Sequence, residues 1–137
     1  MTGGNGIAGY LLDTDFLIDL NRSKRHSLRI RAEKLLREIN FEDLFVSPVA
    51  VIEFVTGVPQ ENRNAVQEML RELYFYIAPT YEEAVLAGRI RREWLSRGHT
   101  LAISDVTNAA LALSRNLVLV TRNVSHYPLP ELKVKGW

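Results

Sequence analysis

Asp13, Glu53 and Asp105 are the residues of this chain whose types and surroundings suit chemistry. Asp13 follows the apolar run Tyr10-Leu11-Leu12, Glu53 is the one charge among Val49, Ala50, Val51, Ile52, Phe54 and Val55, and Asp105 opens an apolar-rich segment beginning at Val106. A lone carboxylate beside apolar chain is costly unless it is paired, hydrogen-bonded or bound to a cation, so the three ask for a joint explanation. Hard divalent cations prefer carboxylate oxygens, and magnesium needs only one or two of them beside waters and substrate phosphate oxygens. Brought together, these acids would hold one ion or two.

Each acid also has an ordinary role. Aspartate is a good N-cap, so Asp13 could cap a helix over residues 16–20. Asp15 could do the same or offset the dipole of that helix. Glu53 reads as a charge in a buried helix, where a salt bridge to an arginine is the alternative to a cation. Asp105, next to Ser104, suits the first turn of a helix over residues 103–113.

The elements that must position these acids follow from periodicity and punctuation. Residues 10–12 read as a strand running straight into a helix, and Leu28, Ala32, Leu35, Leu36 and Ile39 mark a helix over residues 26–39. Asn40-Phe41-Glu42-Asp43 breaks that pattern before a second strand at residues 44–46. Ser47-Pro48 is a helix start, because the hydroxyl caps free N–H groups and proline at the first position loses no bond. The helix over residues 49–56 closes at Gly57 and Pro59, an amphipathic helix spans 62–73, and residues 74–77 are rich in strand formers. Helices over 81–97 and 103–113 follow, the first closed by Gly98. Leu117-Val118-Leu119-Val120 reads as a central strand buried on both faces, and residues 132–134 as an edge strand. Strands alternating with helices predict an α/β fold, a three-layer α/β/α sandwich with a mainly parallel sheet and ligands beyond the carboxyl ends of its strands.

Composition bounds the rest. With 137 residues, 47% of them hydrophobic, the chain supports one compact domain, expected over residues 9–137 after a flexible lead at residues 1–8. The absence of cysteine excludes disulfides, thiolate zinc sites and a cysteine nucleophile, and fits a reducing, cytoplasmic setting. No apolar stretch approaches the ~20 residues of a membrane span. A formal net charge of +1 leaves any phosphate-binding surface to local clusters, of which Arg22, Lys24, Arg25, Arg29 and Arg31 form one and Arg89, Arg91, Arg92 and Arg97 another. For either cluster taken alone, a solvated helix face is the simpler explanation.

The chain resembles the PIN-domain ribonucleases, in particular the VapC-type toxins of toxin–antitoxin pairs. The resemblance rests on residues 10–18, YLLDTDFLI, on 47–58, SPVAVIEFVTGV, on Ile103-Ser104-Asp105 with Ala109, Ala110 and Ala112, and on Leu119-Val120-Thr121-Arg122-Asn123 with His126-Tyr127. It implies metal-binding, catalytic acids at Asp13, Glu53 and Asp105, a magnesium or manganese ion (Mg2+ or Mn2+), and hydrolysis of RNA to 5′-phosphate and 3′-hydroxyl ends. Thr14 and Thr121 are similar to polar residues that support such a site. Asn123 stands where many members carry a fourth acid; it can orient a water or a carboxylate but adds no charge, which weakens the case for a second tightly held ion. Arg122 is a candidate RNA contact, and His126 is expected to be a surface or packing residue. A homodimer and a cognate antitoxin protein are implied as partners.

Two rival readings remain at this level. Asp13-Thr14-Asp15 after an apolar strand looks like the nucleophile motif of haloacid-dehalogenase-type phosphatases, with Asp15 as acid/base and residues 44–47 as a second motif, although Glu53 then has no role. The other is a PIN-like fold kept as a non-catalytic interaction module.

Overall fold

The computed structural model describes residues 6–40 and 43–137. Five parallel strands form one sheet in the order β3-β2-β1-β4-β5: β1 is Gly9–Leu12, β2 Leu44–Val46, β3 Phe75–Tyr76, β4 Leu117–Val120 and β5 Val134–Lys135. The helices are α1 (Thr14–Leu20), α2 (Ser27–Glu38), α3 (Pro48–Thr56), α4 (Arg63–Leu73), α5 (Tyr81–Ser96) and α6 (Ile103–Arg115). This is the expected three-layer α/β/α arrangement.

Alternation along β1 and β4 divides the core. Leu11 and Leu119, paired in register, pack with Trp94, Ala109 and Leu111 on the side of α5 and α6. Leu12 and Val120, the next pair, pack with Phe16, Leu17, Ala32 and Phe54 on the side of α1 to α4. Successive strand residues point to opposite faces, so a strand with both faces covered must be apolar throughout, as β4 is. Burying one such leucine contributes about 1.5–3 kcal/mol.

Local chemistry sets the ends. Gly9 has φ +150°, and a Cβ there would meet the Asp43 carbonyl at 2.6 Å, so β1 approaches the entry to β2 only without a side chain. Ser47 caps α3, with Pro48 at its first position. Thr80 and Glu83 form a reciprocal capping box on α5.

Several expectations shift. Glu53 is exposed and so is Ile52, because α3 buries only Ala50 and Phe54; the helix is apolar in sequence yet covered on one side. The third strand shrinks to two exposed residues, with Tyr74 going to the core instead. The last strand lies at Val134–Lys135, one residue beyond the overlap with the expected 132–134, since Leu132 is spent on the core. At the amino end Ile7 is buried and Ala8 N–H donates to Asn116 O at 2.9 Å, so packing begins before residue 9. Residues 1–5 of the expected lead, and Phe41 and Glu42 of the expected break, lie outside the described residues.

Candidate active site

The carboxyl ends of β1 and β4 lie side by side, and the chain leaves each through a polar residue. Asp13 follows Leu12, with its backbone N–H bonded to Val120 O at 3.1 Å; Thr121 follows Val120, with its N–H bonded to Lys135 O at 3.0 Å. Strand pairing thus puts Asp13 and Thr121 together. A cavity of about 320 Å³ opens there, lined by Asp13, Thr14, Asp15, Glu53, Asp105 and Asn108 together with Ile18, Ser104, Thr121, Asn123 and Tyr127. Among the described residues, four carboxylates line it and no lysine or arginine does.

Asp13, Glu53 and Asp105 arrive from different elements, and Asp15 shares α1 with Asp13. Asp13 is the N-cap of α1, its Oδ1 accepting the Phe16 N–H at 3.1 Å, so the capping role coexists with a place in the cavity. Burial pushes its carboxyl up from 3.8 to about 6, against the opposing hydrogen bonds from Thr121 and the Phe16 amide. Glu53 projects from α3 and accepts the Thr14 hydroxyl at 2.7 Å, not an arginine. Asp105, in the first turn of α6, accepts from Ala102 N at 3.0 Å and His126 Nε2 at 3.0 Å on Oδ2, and from the Tyr127 hydroxyl at 3.2 Å on Oδ1. Burial and the charge of Asp105 hold the Tyr127 hydroxyl protonated well above the ordinary tyrosine range, which keeps it a donor.

The expected site residues Asp13, Thr14, Glu53, Asp105, Thr121 and Asn123 all line this cavity. Arg122 does not: its guanidinium lies 3.4 Å from Asp15 Oδ1 and 3.3 Å from the buried Asp19. His126, expected as a surface or packing residue, is exposed and also bonds Asp105 directly. Sequence reading gave Tyr127, quoted in the closing motif, no role in the site, and it missed Asn108. Tyr127 could be found only through the loop that returns it to Asp105; Asn108 had a signal, as an amide one helical turn beyond Asp105 in an otherwise alanine-rich run.

The donor set fits a hard divalent cation by its chemistry: oxygen ligands, a net negative cavity, and one desolvated carboxylate that a cation would relieve. Among the described residues, though, no three acid or histidine side chains stand together as a finished coordination group. Thr14 holds Glu53, and His126 with Tyr127 holds Asp105, so the acids face one cavity while bonded to their own supports. The phosphatase reading loses its second motif, because Ser47 is fully buried and bonded to Asn108 at 2.6 Å.

The model of the PIN domain matches residues 10–130. The chain belongs to the PIN domain family. Similar PIN proteins include "Ribonuclease VapC1" of Methanocaldococcus jannaschii, 26% identical over 117 residues that make up 85% of this chain and 77% of that protein. Another is "tRNA(fMet)-specific endonuclease VapC" of Salmonella typhimurium, 25% identical over 134 residues, 93% of this chain and 97% of the relative. Among solved structures, VapBC-1 from nontypeable Haemophilus influenzae has a chain that superposes with TM-score 0.76 at 25% identity, covering 94% of this chain and 98% of its own. Among the described residues of this PIN domain, no helix is long and apolar enough to cross a membrane.

Proposed function

We propose that this PIN domain is a divalent-metal-dependent endoribonuclease and the toxin half of a toxin–antitoxin pair. The observation that carries the reading is the meeting of Asp13, Glu53 and Asp105, distant in sequence, in one acidic cavity at the ends of β1 and β4. Relatives named as ribonucleases support the reaction class.

Asp13, Glu53 and Asp105 would hold Mg2+ or Mn2+, which when bound supplies polarisation of the scissile phosphate and a lowered pKa for water at the site. The protein's own part is placement. Thr14 fixes the Glu53 carboxylate, Thr121 backs Asp13, and Ala102 N–H with His126 and Tyr127 orients Asp105. Asn123, whose N–H donates to Thr121 Oγ1 at 3.2 Å, closes the rim without adding charge. Single-stranded or looped RNA suits a pocket of this size, since an unstacked nucleotide can enter it. Arg122, a third exposed, can meet a backbone phosphate while Asp19 retains its Nε. Within the two basic clusters, Lys24, Arg25, Arg89 and Arg92 make no ion pair among the described residues and are cations that can steer RNA.

Structural neighbours solved as VapBC complexes support an antitoxin partner. Exposed Ile52, Phe75 and Tyr76 beside a groove of about 1080 Å³, with Leu95 and Ile103 elsewhere, offer apolar surface for that partner and for a second copy of the chain. The setting in this reading is the cytoplasm.

The test is cleavage of mixed cellular RNA by the purified protein with magnesium or manganese, beside EDTA and Asp105→Asn controls. Cleavage lost in both controls is the expected result. Cleavage that persists in either overturns the assignment, and a folded protein that neither cleaves RNA nor binds metal favours an interaction module.

A further inference from the structure

Asn108 is only 3% exposed and lines the acidic cavity, yet among the described residues only the carbonyl half of its amide has a hydrogen-bond partner. Its orientation is fixed from behind. Ser47 Oγ accepts the Ala50 N–H at 3.4 Å as the cap of α3, so its own proton goes to Asn108 Oδ1 at 2.6 Å. The NH2 therefore lies on the opposite edge, and a cavity lined by carboxylates favours a donor there over a carbonyl. Among the described residues this NH2 finds no acceptor, and it is not sealed from the cavity. Open to the cavity, this NH2 meets solvent there, and a ligand oxygen can take the place of that water.

Its chemistry narrows the ligand. An N–H cannot coordinate a cation; it binds an oxygen anion. Among the described residues, no lysine or arginine lines the cavity, and the nearby hydroxyls of Thr14 and Tyr127 spend their protons on Glu53 and Asp105. We propose that the Asn108 NH2 is a substrate-binding donor, taking a non-bridging oxygen of the RNA phosphate, with Ser47 as the positioning residue that locks the amide. The inference rests on the ribonuclease reading and names a contact within it. It ties α3, which carries Glu53, to α6, which carries Asp105, through one buried bond that also aims the donor.

Two measurements test it. In 15N-labelled protein with Mg2+, the Asn108 side-chain NH2 signals, identified by their loss in Asn108→Leu, are expected to shift on titration with adenosine 5′-monophosphate; unmoved signals overturn the proposal. For cleavage, Asn108→Leu is expected to lower kcat/KM by about 10- to 100-fold, the range for one hydrogen bond to a charged group, with Mn2+ affinity within about twofold of the parent. Ser47→Ala, which frees the amide but keeps it, is expected to lose less. Parent-like cleavage by Asn108→Leu, or a loss wholly explained by weaker Mn2+ binding, overturns the proposal. Absence of cleavage by the parent protein counts against the ribonuclease reading, while the NH2 shift still decides whether this amide binds phosphate.

Discussion

Asp13→Asn is expected to stabilise the metal-free protein while destroying its activity. Asp13 is 9% exposed, and burial lifts its carboxyl from 3.8 to about 6. Below that interval the carboxyl is protonated in both folded and unfolded chains, and above it both are ionised. Within it the folded chain holds more protons, so stability falls as pH rises from 3.8 to about 6 and stays reduced beyond. The deficit at neutral pH is about 3 kcal/mol. Asparagine caps a helix as well as aspartate does, so the variant keeps the bond to Phe16 N–H and escapes the ionisation cost. Allowing for lost polar contacts, a gain of about 2 kcal/mol, or roughly 5–10 °C in Tm, is expected in EDTA at neutral pH. Thermal denaturation of both proteins across the acidic range reads it, and the gap should close below the ordinary aspartate range. Added manganese should raise the Tm of the parent and not of the variant. A variant with equal or lower Tm in EDTA at neutral pH would refute the reasoning, because Asp13 would then be a satisfied cap carrying no strain.

Other sites give independent checks. Thr14→Val removes the hydroxyl that holds Glu53, and titration calorimetry should show Mn2+ affinity weakened by about 10- to 100-fold with the fold intact. Asp19 is fully buried and accepts from Arg22 at 2.8 Å and Trp137 Nε1 at 2.9 Å, so Asp19→Leu should lower stability in urea by about 3 kcal/mol; a near-neutral result would mean those donors turn to water. Hydrogen bonds from Arg115 hold the Glu83 carboxyl at about 2, below its ordinary 4.5, so that pair's stabilisation is present above the ordinary value and lost as pH falls towards the lowered one. Glu83→Gln should flatten the acid limb of the denaturation profile between those two values.

Periodicity carried most of the architecture. The unbroken Leu117–Val120 run could satisfy its apolar side chains only as a strand covered on both faces, and alternation with helices then required a parallel sheet. Boundaries failed where burial was not written in residue type. Phe75 and Tyr76 are strand formers left exposed at an edge, and the apolar stretch around Glu53 proved to be a helix covered on one face only. Of the site, Asp13, Asp105 and Thr121 were legible because each sits near an element end that the sequence itself punctuates, and Glu53 because it is the one charge in an apolar helix.

By itself the sequence determined which carboxylates were candidates, because local signals such as Ser47-Pro48 and the strand-to-helix step at Asp13 fix where each acid stands on its element. Only tertiary structure decided what those acids touch. Arg122 turned to Asp15 and Asp19 rather than the cavity, His126 came back along its loop to Asp105, and Ser47 crossed from α3 to lock Asn108 on α6. Hydrogen bonds across 21 and 61 residues of chain depend on how helices pack on the sheet, and no local pattern encodes that distance.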